Sequence, residues 1–217
     1  IVSLSGTLLS YFQTKGNAKN SDEISDATIR KTIRGLDTIK SQGQSLMNFT
    51  DSYRQLARLQ QPKPKPFSLP HLIRNIEMLF HSDLHRLQIQ FSIDLFREEI
   101  EVNADEELLS QVLINLLKNA MQALEGQENG EISLSVKQLR TTTYIEVKDN
   151  GPGIPHDILE DIFVPFFTTK ETGTGIGLSL SRQIIRMHGG EVQVSYRPYF
   201  ETLFTISLPL TPGNFHT

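Results

Sequence analysis

Ile132-Ser133-Leu134-Ser135-Val136 and Tyr144-Ile145-Glu146-Val147 decide the fold class of this 217-residue chain. Both segments alternate apolar and polar residues with period two, which puts one side of each strand against a core and leaves the other near solvent. The polar stretch between them predicts an antiparallel pair. A second pair is expected from Val192-Gln193-Val194 and Leu203-Phe204-Thr205-Ile206-Ser207-Leu208. Around these strands the period changes to that of a helix. Leu108, Leu109, Val112, Leu113, Leu116, Leu117, Ala120 and Leu124 make the core face of a helix over 105–124, with Asp105 as its cap. Another helix is predicted from about Thr174 to Met187, ended by Gly189-Gly190, and a third from Leu69 to about Leu84. Leu87 to Ile93 reads as a half-buried strand and Ile100-Glu101-Val102 as a short one. Strands grouped in hairpins with helices between them give an α+β, two-layer α/β sandwich whose helices cover one sheet face.

Working outward, Gln61-Pro62-Lys63-Pro64-Lys65-Pro66 marks a boundary, because alternating prolines neither continue a helix nor pair as a central strand. The domain reading is a helical part over 1–60, a Pro-rich linker over 61–66 and a mixed domain over 67–217. In the helical part Val2, Leu4, Leu8, Leu9 and Phe12 form a short apolar helix that stops near Gly16-Asn17. Ser21-Asp22-Glu23 offers a cap for a longer second helix. There Ile29, Ile33, Leu36, Gly43, Leu46, Phe49, Tyr53 and Leu56 recur at three- and four-residue steps, interrupted at Lys40. A stripe that long, with only a short partner helix, implies burial against a second copy, with docking of the hairpin on its own second domain as the alternative.

Composition removes whole classes of function. There is no cysteine, so no disulfide scaffold, iron–sulfur cluster or thiol nucleophile is available, and a reducing compartment is the consistent setting. With 21 Lys and Arg against 25 Asp and Glu, and no basic block, the chain lacks the stripe that duplex nucleic acid would require. No run of eighteen apolar residues is present to cross a membrane.

Three further features carry chemistry. Opposite the core face of helix 105–124 lie Gln111, Asn115, Lys118, Asn119 and Gln122. Asn115 and Asn119 are one turn apart and share a direction, although Asn is a poor helix former. Their neutral amide oxygens suit a hard cation such as Mg²⁺ that already carries phosphate charge. Asp149-Asn150-Gly151-Pro152-Gly153-Ile154 follows a strand directly. Its glycines permit a sharp turn and close approach of a flat ligand, and the carboxylate can accept from an exocyclic amine. Gly173-Thr174-Gly175-Ile176-Gly177-Leu178 opens a helix, where free N–H groups and positive dipole favour phosphate. It is neither a dinucleotide fingerprint, lacking the strand and the last glycine, nor a P-loop, lacking Gly-Lys-Ser/Thr. Ile162-Phe163-Val164-Pro165-Phe166-Phe167-Thr168-Thr169-Lys170 between these motifs reads as a cover over a nucleotide.

The order and spacing of these motifs resemble the ATP-binding domain of sensor histidine kinases, within the gyrase–chaperone–kinase–mismatch-repair superfamily and its Bergerat-type fold. Asn115-Leu-Leu-Lys-Asn119-Ala is similar to the N box and Asp149-Asn-Gly-Pro-Gly-Ile154 to the G1 box. Phe163-Val-Pro-Phe-Phe-Thr-Thr-Lys170 is similar to the F box and Gly173-Thr-Gly-Ile-Gly-Leu178 to the G2 box. His188-Gly-Gly190 and Glu201-Thr202-Leu-Phe204 also follow the pattern, which covers roughly 67–210. Residues 49–58 resemble, more loosely, the dimerisation hairpin of nitrogen-regulation-type kinases. The resemblance implies that Asn119 ligates Mg²⁺ with Asn115 beside it. Asp149 would bind the adenine amine with support from Thr202, while Gly151, Gly153, Ile154 and Phe163 shape the base site. Gly173, Thr174, Gly175, Ile176, Gly177 and Leu178 would line the phosphates and Lys170 would reach the γ-phosphate. It also implies ATP as substrate, a response regulator as partner, a homodimer through 1–60 and a cytoplasmic setting, with a parent protein that could be membrane-anchored.

Two alternatives stand beside it: an ATP-driven conformational machine of the same superfamily, and a non-catalytic dimerisation module. Hydrolysing members commonly carry Glu where Asn115 stands, and an amide cannot take a proton from water, which favours transfer to an acceptor. The acceptor histidine is expected on the first hairpin helix, followed by an acid. His71, His81, His85, His156, His188 and His216 are the six histidines, and none lies in 1–60, so the acceptor is expected upstream of Ile1.

Overall fold

The computed structural model describes residues 2–14, 17–18, 24–57, 59, 61–170, 173–197 and 201–210. The chain divides into two compact units, Ile1–Ala57 and Arg58–Thr217.

In the first unit α1 (Val2–Phe12) and α2 (Asp26–Ala57) are the long elements, with a two-residue strand pair, β1 (Gln13–Thr14) and β2 (Asn17–Ala18), after α1. The helices meet where Gly35 leaves room for Leu8: a β-carbon at Gly35 would come within 2.6 Å of the leucine side chain. Ser25 accepts from Thr28 N–H at 3.2 Å and starts α2; the capping expected of Ser21-Asp22-Glu23 lies outside the described residues. Ile29, Ile33, Leu36 and Leu46 of the apolar stripe are exposed, whereas the side chains of Phe49, Tyr53 and Leu56 lie outside the described residues.

The second unit is built on a five-stranded sheet of order β4-β6-β7-β9-β8, formed by β4 (Gln90–Leu95), β6 (Glu131–Leu139), β7 (Thr142–Asp149), β8 (Glu191–Arg197) and β9 (Glu201–Pro209). Both expected hairpins are present in antiparallel register, with Leu134 opposite Val147 and Val192 opposite Ile206. β4 joins β6 in parallel, a pairing that periodicity alone does not specify. Ile132, Leu134, Val136, Ile145, Val147, Ile206 and Leu208 alternate onto one face and are buried. They pack under α3 (Leu69–Arg86), α4 (Glu106–Ala123) and α5 (Gly177–Met187). Each such side chain contributes about 1.5–3 kcal/mol by leaving water. The other sheet face is polar, and Lys137 bridges Glu146 at 2.9 Å there.

Three boundaries differ from expectation for identifiable reasons. Leu87 caps α3 and Gln88 takes a left-handed φ of 55°, so the first strand begins at Gln90 rather than Leu87. Lys65 and Pro66 do not remain linker: they open β3 (Lys65–Ser68), antiparallel to β5 (Glu101–Ala104) in a separate two-stranded ribbon, where proline is tolerated. The helix expected from Thr174 starts at Gly177, because residues 173–176 form the turn before it.

Asp105 caps α4 by accepting from Leu108 N–H at 3.2 Å, and its other oxygen accepts from Lys63 N–H at 2.9 Å. His188, at the C-cap of α5, is buried and bonds at both ring nitrogens. Nε2 accepts from Asp105 N–H at 2.9 Å and Nδ1 donates to Ile184 O at 2.8 Å. One imidazole therefore ties the end of α5 to the start of α4. Gly190 follows where a β-carbon would strike the Ser207 carbonyl of β9 and lie 2.9 Å from Ile185. Gly190→Ala is expected to cost about 2 kcal/mol by overpacking against backbone that cannot give way, measured as a lowered urea midpoint with unchanged slope.

Candidate functional site

A cavity of about 490 Å³ opens between α4, the ends of β7 and β9, and the loops before α5. Its size falls in the range of small-molecule sites. Each wall follows from local chemistry.

The floor is α4. Burial of Leu109, Val112, Leu113, Leu116 and Leu117 fixes the helix rotation, so Asn115, Lys118, Asn119 and Gln122 line the opening. Asn115 Nδ2 donates to Ser181 Oγ at 3.0 Å, which orients the amide. Gly177 approaches so closely that a β-carbon would collide with Asn115 Oδ1.

Asp149 ends β7 on the helix-facing side, opposite Thr202 of β9 in register. It is only 4% exposed, and burial pushes its carboxyl up to about 6. The Gly151 N–H at 3.0 Å, the Thr202 hydroxyl and the Lys170 ammonium pull in the opposite direction without cancelling the effect. Beyond Asp149 the backbone turns at once: Gly151 has no room for a β-carbon against Asp149 Oδ1, and Gly153 has φ +77°.

The third wall couples two loops. Phe166, itself at φ +70°, donates its N–H to Gly175 O at 2.8 Å. Gly175 has φ +67° and a β-carbon there would strike the Phe166 carbonyl carbon. Lys170 reaches back across the opening: its ammonium donates to Gln122 Oε1 at 2.6 Å and to Asn119 Oδ1 at 3.2 Å. Burial of this ammonium lowers its pKa, against the pull of Asp149.

Of the residues expected at the site, Asn115, Asn119, Asp149, Gly153, Ile154, Lys170, Gly173, Thr174, Gly175, Gly177, Leu178 and Thr202 line the cavity. Three others lie behind the lining. Gly151 is buried and braces Asp149, and Ile176 is a core residue before α5. Phe163 ends a 3₁₀ turn (Asp161–Phe163) with the Arg182 guanidinium 4.8 Å from its ring centre. Gln122 and Ser181 were absent from the expected set, although Gln122 belongs to the polar stripe of the sequence. Their parts depend on partners 48 and 66 residues away, which spacing along one helix does not reveal. Among the described residues no three His, Asp or Glu side chains are grouped as metal ligands, so any cation here would rest on amide oxygens and on ligand phosphates.

Residues 104–212 match the model of the histidine kinase-, DNA gyrase B- and HSP90-like ATPases. The chain is 34% identical over 198 residues to the signal transduction histidine-protein kinase AtoS of Escherichia coli K12, covering 90% of this chain and 31% of that one. It is 32% identical over 154 residues to the sensory histidine kinase/phosphatase NtrB of Vibrio alginolyticus, covering 66% of this chain and 43% of that one. It therefore spans less than half the length of these relatives. Among solved structures, the catalytic domain of histidine kinase ThkA aligns with TM-score 0.64 and 38% identity over 69% of this chain and 97% of that one. ThkA in complex with the response regulator TrrA aligns with TM-score 0.70 and 26% identity over 99% of this chain and 58% of that one.

The raised carboxyl of Asp149 gives a signed expectation. The folded chain keeps this proton up to about pH 6 whereas an unfolded chain releases it near 3.8. The stability it contributes is complete below the lower value and is lost as pH rises through the upper one, on the order of 3 kcal/mol. Asp149→Asn should flatten that slope between pH 4 and 7, read from thermal midpoints of the ligand-free chain; an unaltered slope would show that another group causes it.

Proposed function

The chain belongs to the family of histidine kinase-, DNA gyrase B- and HSP90-like ATPases, and from this premise we propose that it is the ATP-binding catalytic portion of a sensor histidine kinase. It transfers the γ-phosphate of ATP to a histidine on a dimerisation helix, for relay to a response regulator. The observation that carries this reading is the meeting, in one cavity, of the buried Asp149–Thr202 pair, the glycine turn 173–177 and the Asn115–Asn119 stripe.

In this reading Asp149, ionised, accepts from the exocyclic amine of adenine, and the Thr202 hydroxyl holds the carboxylate in place. Gly153 and Ile154 form the slot for the base. The turn 173–177 receives the phosphates, where absent β-carbons and the first N–H groups of α5 favour negative charge. Asn119 is fitted to a cation on one observation: its Oδ1 already accepts an ammonium, from Lys170. Bound magnesium would supply neutralisation of the phosphate charge. Asn115 cannot take a proton from water because its side chain is an amide committed to Ser181, which supports transfer over hydrolysis. The chain's part is thus positioning and charge neutralisation.

The exposed Ile29, Ile33, Leu36 and Leu46 support homodimerisation through 1–60, with the linker shortened to 61–64 and the catalytic domain running from β3 onward. Among the described residues no helix is long and apolar enough to cross a membrane, and the proposed setting is the cytoplasm.

Supplying a His-bearing dimerisation hairpin in trans with γ-labelled ATP should give acid-labile, base-stable label on the hairpin. ATP turnover that never labels it would favour a conformational ATPase. Asn119→Ala should bring labelling to background while the unfolding free energy changes by no more than about 0.5 kcal/mol, since the change removes surface amide and no core volume. An unfolded variant would refute its role as a cation ligand on a surface stripe.

A further inference from the structure

Gln122 has no part in the reading above, yet it makes a short polar contact in the cavity. Its Oε1 accepts from Lys170 at 2.6 Å, and the same ammonium sits 3.2 Å from Asn119 Oδ1. Gln122 and Asn119 are one turn apart on α4, so both amide oxygens face the same ammonium. Lys170 lies on the segment whose earlier residue Phe166 is bonded to Gly175, and its own N–H donates to Thr168 Oγ1 at 3.1 Å. The ammonium thereby bridges the covering segment to the floor of the cavity, with a positive charge on the oxygen proposed for the metal.

We propose that Gln122 is a positioning residue that holds the Lys170 ammonium on Asn119 Oδ1 in the nucleotide-free chain, so that magnesium and nucleotide enter by displacing it. This rests on the assignment of Asn119 as a cation ligand. A cation and an ammonium cannot share one oxygen without like-charge repulsion at contact distance. Asn119 alone offers Lys170 a single neutral acceptor, which gives a modest net gain. The second acceptor on Gln122 keeps the ammonium at the mouth when solvent competes. The covering segment is thus closed by the cavity's own floor before ligand arrives, and the cation is the agent that releases it.

The test uses the full chain with ADP as probe, with magnesium titrated against EDTA. Gln122→Met keeps side-chain length and removes the acceptor. Three results are expected. Amide exchange at 168–170 in the nucleotide-free chain speeds up. The magnesium concentration for half-maximal ADP binding falls about fivefold, the factor that one partly exposed charge-assisted hydrogen bond is worth. In a Lys170→Met background the same substitution does nothing more. Gln122→Glu, which retains the acceptor, should keep the slow exchange. Unchanged exchange in Gln122→Met, or an effect that persists without the Lys170 ammonium, overturns the proposal. Failure of the wild-type chain to bind ADP would instead sink the nucleotide-site reading, while the exchange measurement, made without nucleotide, still decides whether Gln122 holds Lys170.

Discussion

Gly177 stands so near α4 that its missing side chain is replaced by the amide oxygen of Asn115. The cavity depends on that approach. Any β-carbon would drive the start of α5 away from α4 and widen the gap between the glycine turn and the amide stripe. The approach is held at two points along α5. In its second turn Ser181 takes a hydrogen from Asn115, midway along α4; at its C-cap His188 accepts from Asp105, the cap of α4. Two helices tied at two points resist sliding past each other, and the positions of Asn115 and Gly177 relative to one another follow.

How much of this was legible in the sequence depends on the range over which each determinant acts. The α4 floor was readable because the 3.6-residue period places Leu109, Val112, Leu113, Leu116 and Leu117 inward and therefore Asn115 and Asn119 outward. Asp149 was readable only beside the other motifs, because a carboxylate followed by glycines is by itself an ordinary tight turn. The start of α5 was not readable, because no side chain caps it and buried Ile176 looks like the first residue of an apolar helical run. The β4–β6 pairing was also hidden, since a parallel neighbour leaves the same alternation as an antiparallel one. Gln122 was the costliest omission. An exposed Gln on a helix is ordinary, and only the backbone path through 164–170 brings an ammonium to it.

The cavity sets two opposite charges in one partly dry space and drives both toward neutrality. Burial raises the Asp149 carboxyl and lowers the Lys170 ammonium, and their mutual attraction only partly offsets this. A site with such groups is primed for a ligand that brings what each lacks: a hydrogen-bond donor for the carboxylate, and negative charge for the ammonium. A nucleotide carries both, an exocyclic amine on its base and negative charge on its phosphates.

The same reasoning separates the frame from the chemistry among the histidines. His188 is the one buried among the described residues, and both its ring nitrogens are engaged, one as donor and one as acceptor. Phosphorylation at Nε2 would remove the bond that joins α4 to α5, and phosphorylation at Nδ1 the bond to the Ile184 carbonyl within α5, each in a buried place. Its place beside a glycine pair is therefore architectural. His71, His81, His85 and His156 are exposed on α3 and on the 3₁₀ turn His156–Ile158, and none of them lines the cavity. Under the proposed phosphoryl transfer, these five histidines are therefore part of the frame or of the surface, and none of them is built into the site.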